Sequence, residues 1–309
     1  MNSNRHSLYS AVFIILLSIF SINAHGKLQV FTCEPEWQAL VENLGGEHVT
    51  AVSATTAFQD PHYIEARPSL IVKVCKADLL VCTGAELEIG WLPLLLRKSG
   101  NANVQLSQPG SFMAADFVER LEIPHRHDRS DGDVHASGNP HVHLDPHRLL
   151  TIAEALSKRL IQLDPTNKDD YQTALHKFKR TWSQRIKEWE NKLQSLSGEY
   201  FIVHHRNWSY LFNWLSLKEL ADLEPKPGIP PSSSHLLSLL EKVENKQAKG
   251  ILISNYQNPK AAQWLSERTG LPVITLPFTV GADDSIQTLE NLFDAITDRL
   301  VANSAGQHD

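Results

Sequence analysis

Hydrophobic and polar positions follow two different periods along this chain. Short apolar runs over Leu28 to Thr32, His48 to Ala54, Asp78 to Cys82 and Val104 to Leu106 predict strands. Between them, apolar residues recur every three or four positions, which predicts helices over Pro35 to Leu44, Pro68 to Lys76 and Glu86 to Lys98. In the first helix Trp37, Leu40, Val41 and Leu44 share one face, and Gly45-Gly46 stops it. The second half repeats the plan. Strands are expected over Tyr200 to His204, Gly250 to Ser254 and Val273 to Leu276. Helices are expected from Trp208 to Leu215, Ser232 to Lys246, Pro259 to Thr269 and Ser285 to Val301. Strands alternating with helices at this spacing make βαβ units with right-handed crossovers and a parallel sheet.

Two helical segments separate the halves. Leu149, Ile152, Leu156 and Leu160 mark one, ended by Asp164-Pro165. Tyr171, Leu175, Phe178, Trp182, Ile186, Trp189 and Leu193 mark the other, which runs from about Asn167 to Leu196 with Gly198 as its stop. At 1.5 Å per residue it is roughly 45 Å long, more than a crossover helix needs. It reads as a rigid strut, since a coiled-coil partner would require further heptads. The expected fold is therefore α/β, with two parallel-sheet lobes bridged by one long rigid helix. The lobes span residues 25–166 and 198–309, and the linking helix spans 167–197.

Residues 1–24 read as a secretory signal. Arg5 and His6 lead into the apolar stretch Ala11 to Ile22, too short for a membrane span, and Ser21-Ile22-Asn23-Ala24 offers cleavage after Ala24. An uncleaved anchor is the alternative. The expected product is a soluble, exported protein. Of 309 residues, 42% are hydrophobic and 21% charged, an ordinary globular profile. A net charge of −6 without a basic patch argues against nucleic acid or an anionic membrane as partner. Cys33, Cys75 and Cys82 allow at most one internal disulfide. Cys33 and Cys82 each end a predicted strand, so they can pair, and a buried free thiol is the alternative for each. None of the three matches a lipid-attachment site.

The fifteen histidines change the picture most, because they cluster between His125 and His147. The stretch Gly138 to Arg148 carries His141, His143, His147 and Asp145 between two prolines. Asn139-Pro140 reads as a turn, with Asp145 as helix cap and Pro146 at the first helical position. Held imidazoles are good metal ligands, although a polar, histidine-rich surface loop has the same composition. In α/β sheets ligands bind beyond the carboxyl ends of the strands. His62, His141, His205 and Asp284 fall in such places, two in each half. Three imidazoles and one carboxylate suit tetrahedral zinc; manganese and ferrous iron favour more oxygen. His204 is still on its strand, and it and Asp283 stand as neighbours that support a ligand or replace one. One of Asp283 and Asp284 can instead cap the closing helix. His125, His127 and His135 lie in a polar, aperiodic segment suited to weak metal contact or to plain solvation. The sequence has no His-Glu-x-x-His helix and no nucleophile elbow, so catalysis has no support. A secreted zinc hydrolase remains the rival if water fills the fourth position.

Taken in order, these motifs resemble the periplasmic zinc-binding subunits of ABC uptake transporters, a cluster that also holds manganese-binding members. Asp60-Pro61-His62-Tyr63 with Arg67-Pro68-Ser69 looks like the family's first ligand loop, and Asn139 to Pro146 looks like its second. His205 with Tyr210 resembles the third, Asn258-Pro259-Lys260 through Gly270-Leu271-Pro272 the approach to the fourth, and Asp284-Ser285 the last carboxylate. The resemblance implies metal held in the cleft between the lobes, limited hinge motion, and delivery of the ion to a membrane permease. The bound ion would be Zn2+ rather than Mn2+, and the protein a periplasmic monomer without enzymatic activity. His143 stands where the family usually has an aromatic residue, most often Trp, and would support a ligand or act as an alternative one. The segment from His125 to His135 is a short form of the family's acidic, histidine-laden loop.

Overall fold

Each half of the chain builds a four-stranded parallel sheet in the same order. The computed structural model describes residues 26–124, 135–226 and 228–304. The first sheet has strands β1 (Leu28–Thr32), β2 (Val49–Ser53), β3 (Leu79–Cys82) and β4 (Ser111–Met113), ordered β2-β1-β3-β4. The second has β5 (Tyr200–Val203), β6 (Lys218–Asp222), β7 (Ile251–Ser254) and β8 (Val273–Leu276), ordered β6-β5-β7-β8. All pairs are parallel. β3 and β7 are buried along their whole length, as strands covered on both faces must be.

Helices α1 (Pro35–Gly45), α2 (Pro68–Cys75), α3 (Leu92–Ser99) and α4 (Pro146–Leu163) belong to the first half. The strut is α5 (Lys168–Leu193), 26 residues continued by a 3₁₀ turn over Gln194–Leu196. Helices α6 (Ser209–Leu215), α7 (Ser233–Asn245), α8 (Lys260–Thr269) and α9 (Leu289–Ser304) follow. The α5 stripe of Tyr171, Phe178, Trp182, Ile186, Trp189 and Leu193 is buried. It packs on α1 and α4 of the first half and on α9 of the second. Trp182 donates its indole N–H to the Pro146 carbonyl at 2.8 Å, and Trp189 donates to Asp294 at 2.8 Å. One contiguous apolar cluster thus runs from Val30 through the strut to Leu300. Separate clusters line the other face of each sheet.

Four expectations need correction. The fourth strand is Ser111–Met113, because Val104 ends a 3₁₀ turn capped by the Asn101 side chain and Leu106 stays 58% exposed. The helix foreseen from Glu86 begins only at Leu92, since Ala85 and Glu86 have φ of +50° and +70°. There Glu88 folds back to accept the Thr83 and Gly84 N–H groups. The closing helix begins at Leu289 rather than Ser285. Strand β6 was not foreseen at all. Of the two readings for Cys33 and Cys82, pairing holds: they form a disulfide across the ends of β1 and β3, and Cys75 is a free, exposed thiol. No helix among the described residues is long and apolar enough to cross a membrane.

Glu34 and Glu88 are buried beside the disulfide, and Glu36 is buried close enough to act on Glu34. Burial, then the charges of Glu88 and Glu36, raise the Glu34 carboxyl well above its usual range. Burial also pushes Glu88 up to about 7. Both groups hold protons in the fold that the unfolded chain releases near 4.5. The Glu88 contribution to stability is therefore complete below that value and is lost as pH rises through about 7, and the Glu34 contribution is lost in the same direction. Glu88→Gln, which mimics the protonated acid, should melt several degrees above the parent at pH 8 in metal-free protein. The gap should close toward pH 5. Each pKa unit corresponds to about 1.4 kcal/mol, so an effect on the order of 1–3 kcal/mol is expected. Thermal melts across that range check it, and a gap independent of pH would contradict it.

Candidate metal centre

Three loops converge where the two sheets face each other. The first follows β2. Asp60 accepts both the backbone N–H of His62 at 3.0 Å and its ring Nδ1–H at 2.7 Å. The second is the proline-bounded stretch. Asn139 accepts the His141 N–H at 3.0 Å, and Asp145 caps α4 by accepting from His147 and Arg148. The third is the end of β5, where His205 donates Nδ1–H to Glu224 at 2.7 Å. Glu224 lies just beyond β6, so the unforeseen strand supplies the partner of His205.

One nitrogen of each of His62, His141 and His205 lies within 4.8 Å of the other two. Ring centroids are 5.8, 6.0 and 6.2 Å apart. With Nδ1–H committed to Asp60 and Glu224, His62 and His205 keep Nε2 as a lone pair. His141 is 1% exposed, and its Nδ1 has no hydrogen-bond partner. Burial, then the neighbouring histidines, hold it well below its usual pKa, so the ring is neutral and able to coordinate. A borderline divalent cation bound by several imidazoles is what this donor set fits.

The orienting carboxylates are ionised. Burial would raise the Asp60 carboxyl, but its bonds to His62 and the charges of His62 and His205 outweigh burial and lower it. Glu224 is likewise opposed by burial, yet the nearby His204 and the hydrogen bond from His205 bring it down to about 2. Both carboxylates line a cavity of about 430 Å³ with His204, Tyr256, Pro230 and Pro231. A larger cavity of about 490 Å³ in the first half, bordered by Glu88 and Arg159, contains none of these histidines.

The remaining candidates separate. Asp284 is exposed and is not brought into the histidine group. Asp283 accepts the Ser285 N–H at 2.9 Å and pairs with Arg299 at 2.9 Å, which makes it a turn residue. His204 is 8% exposed, with Nε2 3.6 Å from Glu224 Oε1, so it braces the carboxylate that orients His205. His143 is buried against Trp37 and Phe278, with Nε2 3.0 Å from the Phe278 carbonyl and Nδ1 3.4 Å from Glu36. It adds a hydrogen bond between the halves. His135 sits closer than expected: its Nε2 is 3.1 Å from His62 Nε2, and the rings stack. His125 and His127 lie outside the described residues. Sequence reasoning missed Glu224, because β6 is a half-exposed, polar edge strand (Lys-Glu-Leu-Ala-Asp) that carries no alternating apolar signal.

Glu224→Gln should keep the metal-free melting temperature within a few degrees while weakening zinc binding about 10–100-fold, the usual cost of losing such a partner. Zinc titration against a chromophoric chelator, beside a metal-free melt, checks this.

Comparisons with known proteins place the chain as a whole among relatives. The model of the ZnuA family, the periplasmic component A of a zinc-uptake complex, matches residues 30–303. The high-affinity zinc uptake system protein ZnuA of Yersinia pestis is 28% identical over 199 residues, 60% of this chain and 63% of its own length. The manganese ABC transporter substrate-binding lipoprotein PsaA of Streptococcus pneumoniae is 23% identical over 264 residues, 84% of this chain and 82% of its own. A crystal structure of ZnuA superimposes with a TM-score of 0.75 at 22% identity, covering 90% of this chain and 99% of that one.

Proposed function

This chain belongs to the ZnuA family of periplasmic zinc-uptake components, and on that footing we propose that it captures Zn2+ outside the cytoplasmic membrane and passes it to the permease of an ABC transporter. Metal capture for an ABC transporter is the family's role, and its members are binding proteins rather than enzymes. The choice of zinc rests on one observation: three imidazoles from two lobes offer nitrogens within 4.8 Å of one another. His62, His141 and His205 are the proposed ligands. His135, outside that group of three but 3.1 Å from His62 Nε2, is the proposed fourth in place of the exposed Asp284. An all-nitrogen set favours zinc over manganese, which prefers oxygen. Manganese is the second reading, favoured by the similarity to PsaA. The protein is proposed to work as a monomer in the periplasm after removal of residues 1–24.

Binding needs neutral imidazoles, so protons compete with the ion. Two lone pairs are aimed in advance by fixed carboxylates, which lowers the ordering cost of coordination. The strut and its shared core oppose wide opening of the cleft, so release is expected through small loop shifts at the ligands.

Purified metal-free protein should bind one zinc and prefer it to manganese at pH 7.5. Affinity should fall as pH drops, because protons compete with the ion for the imidazole nitrogens. His62→Ala, His141→Ala and His205→Ala should each cost at least about 100-fold, His135→Ala about 10-fold, and Asp284→Ala almost nothing. Competition titrations of the two ions decide the matter; tighter manganese binding, or a large loss in Asp284→Ala, would overturn this reading.

A further inference from the structure

Asn139 joins the two lobes at the metal centre. Its Oδ1 accepts the N–H of His141 at 3.0 Å. Its Nδ2 donates to the carbonyl of Arg206, the residue after His205, at 2.7 Å, and to Glu122 at 2.9 Å. One carboxamide thus holds the loop of a first-half histidine and the chain beside a second-half histidine. The side chain is 7% exposed, so water competes weakly for these bonds.

Neighbouring contacts fix the Asn139 backbone as well. The Tyr210 hydroxyl donates to the Asn139 carbonyl at 2.7 Å and accepts the Leu121 N–H at 3.0 Å. The Asn139 N–H donates to the Leu121 carbonyl at 2.8 Å. Ser209 donates to Glu122 at 2.8 Å, closing the ring of contacts across the lobes. A turn alone would need only the Oδ1 arm, which Asp or Ser can also provide. The Nδ2 arm has no role in a turn; its acceptors are the C-terminal lobe's backbone, the Ser209 hydroxyl at 3.2 Å and the Glu122 carboxylate.

We propose that Asn139 is a positioning residue that sets the gap between His141 and His205, and through that gap the affinity and coordination geometry of the bound ion. This rests on the reading of His141 and His205 as ligands. Backbone carbonyls and buried amides shift little, so a bond of 2.7 Å from one side chain to the Arg206 carbonyl limits how far the two rings can separate. The proposal assigns no direct contact between Asn139 and the metal.

The test uses the full mature chain. Asn139→Ser keeps an acceptor for the His141 N–H but is too short to reach Arg206. Asn139→Asp keeps the length and the acceptor but loses the donor and places an oxygen against the Arg206 carbonyl. Zinc affinity is measured by chelator competition, coordination geometry by the visible absorption of the Co2+-loaded protein, and the fold by metal-free circular dichroism and melting. Both variants should bind zinc about 10–100-fold more weakly. Their Co2+ bands should shift or lose intensity while the metal-free dichroism stays unchanged. Parental affinity and an unaltered Co2+ spectrum in Asn139→Ser would overturn the proposal. So would weakened binding that only tracks a lower metal-free melting temperature, with the Co2+ spectrum intact. If Asn139→Ser does not fold, the same two outcomes are read from Asn139→Asp. Failure of the parent itself to bind zinc or Co2+ would overturn the reading of the ligands, a result distinct from either.

Discussion

Everything at the metal centre depends on holding two separate sheets at one distance. Histidines from different lobes can share an ion only if the lobes cannot drift by more than about an ångström, because zinc–nitrogen bonds are short, near 2.0–2.1 Å. The chain meets that demand with apolar packing. The stripe on α5 is buried against helices from both halves, and one core runs unbroken across them. The indoles of Trp182 and Trp189 lock the strut at two points, one to the Pro146 carbonyl and the other to Asp294. A continuous helix so embedded cannot act as a loose hinge.

On this frame, electrostatics prepares the proposed ligands. A neutral histidine has one donor and one acceptor nitrogen, and whichever partner takes the donor decides where the lone pair points. Asp60 and Glu224 take the donors of His62 and His205, and the charge they carry is maintained by those same hydrogen bonds against the opposing effect of burial. His141 is handled differently. It is buried, kept neutral by that burial, and positioned through its backbone by Asn139 rather than through its ring. Two mechanisms thus serve one end, a set of imidazoles that are unprotonated and already close together.

The legible parts of this chain are those where burial writes a period. Strands β1, β3, β7 and β8 and the strut were readable because apolar residues repeat where both faces, or one helical stripe, meet a core. The proline-bounded loops were readable because Pro140 and Pro146 leave few conformations for the residues between them. What could not be read is set by long-range polar contacts. Glu88 reshapes the chain before α3 by folding back on Thr83 and Gly84, an interaction that carries no periodicity. Strand β6 is polar because it is a half-exposed edge, and Glu224 beyond it is invisible without the sheet that brings it to His205. Asp284 was attractive by its place after the last strand, yet it lies exposed outside the histidine group. His135, assigned from composition to a weakly binding segment, stacks on His62.

The central claim is that imidazole nitrogens from both lobes hold a single ion. X-ray absorption at the zinc edge of the loaded, mature protein tests it most directly. The account predicts a four-coordinate shell at about 2.0 Å with the outer-shell scattering of three to four imidazoles. A shell dominated by oxygen at longer distance, or one showing fewer than three imidazoles, would contradict it.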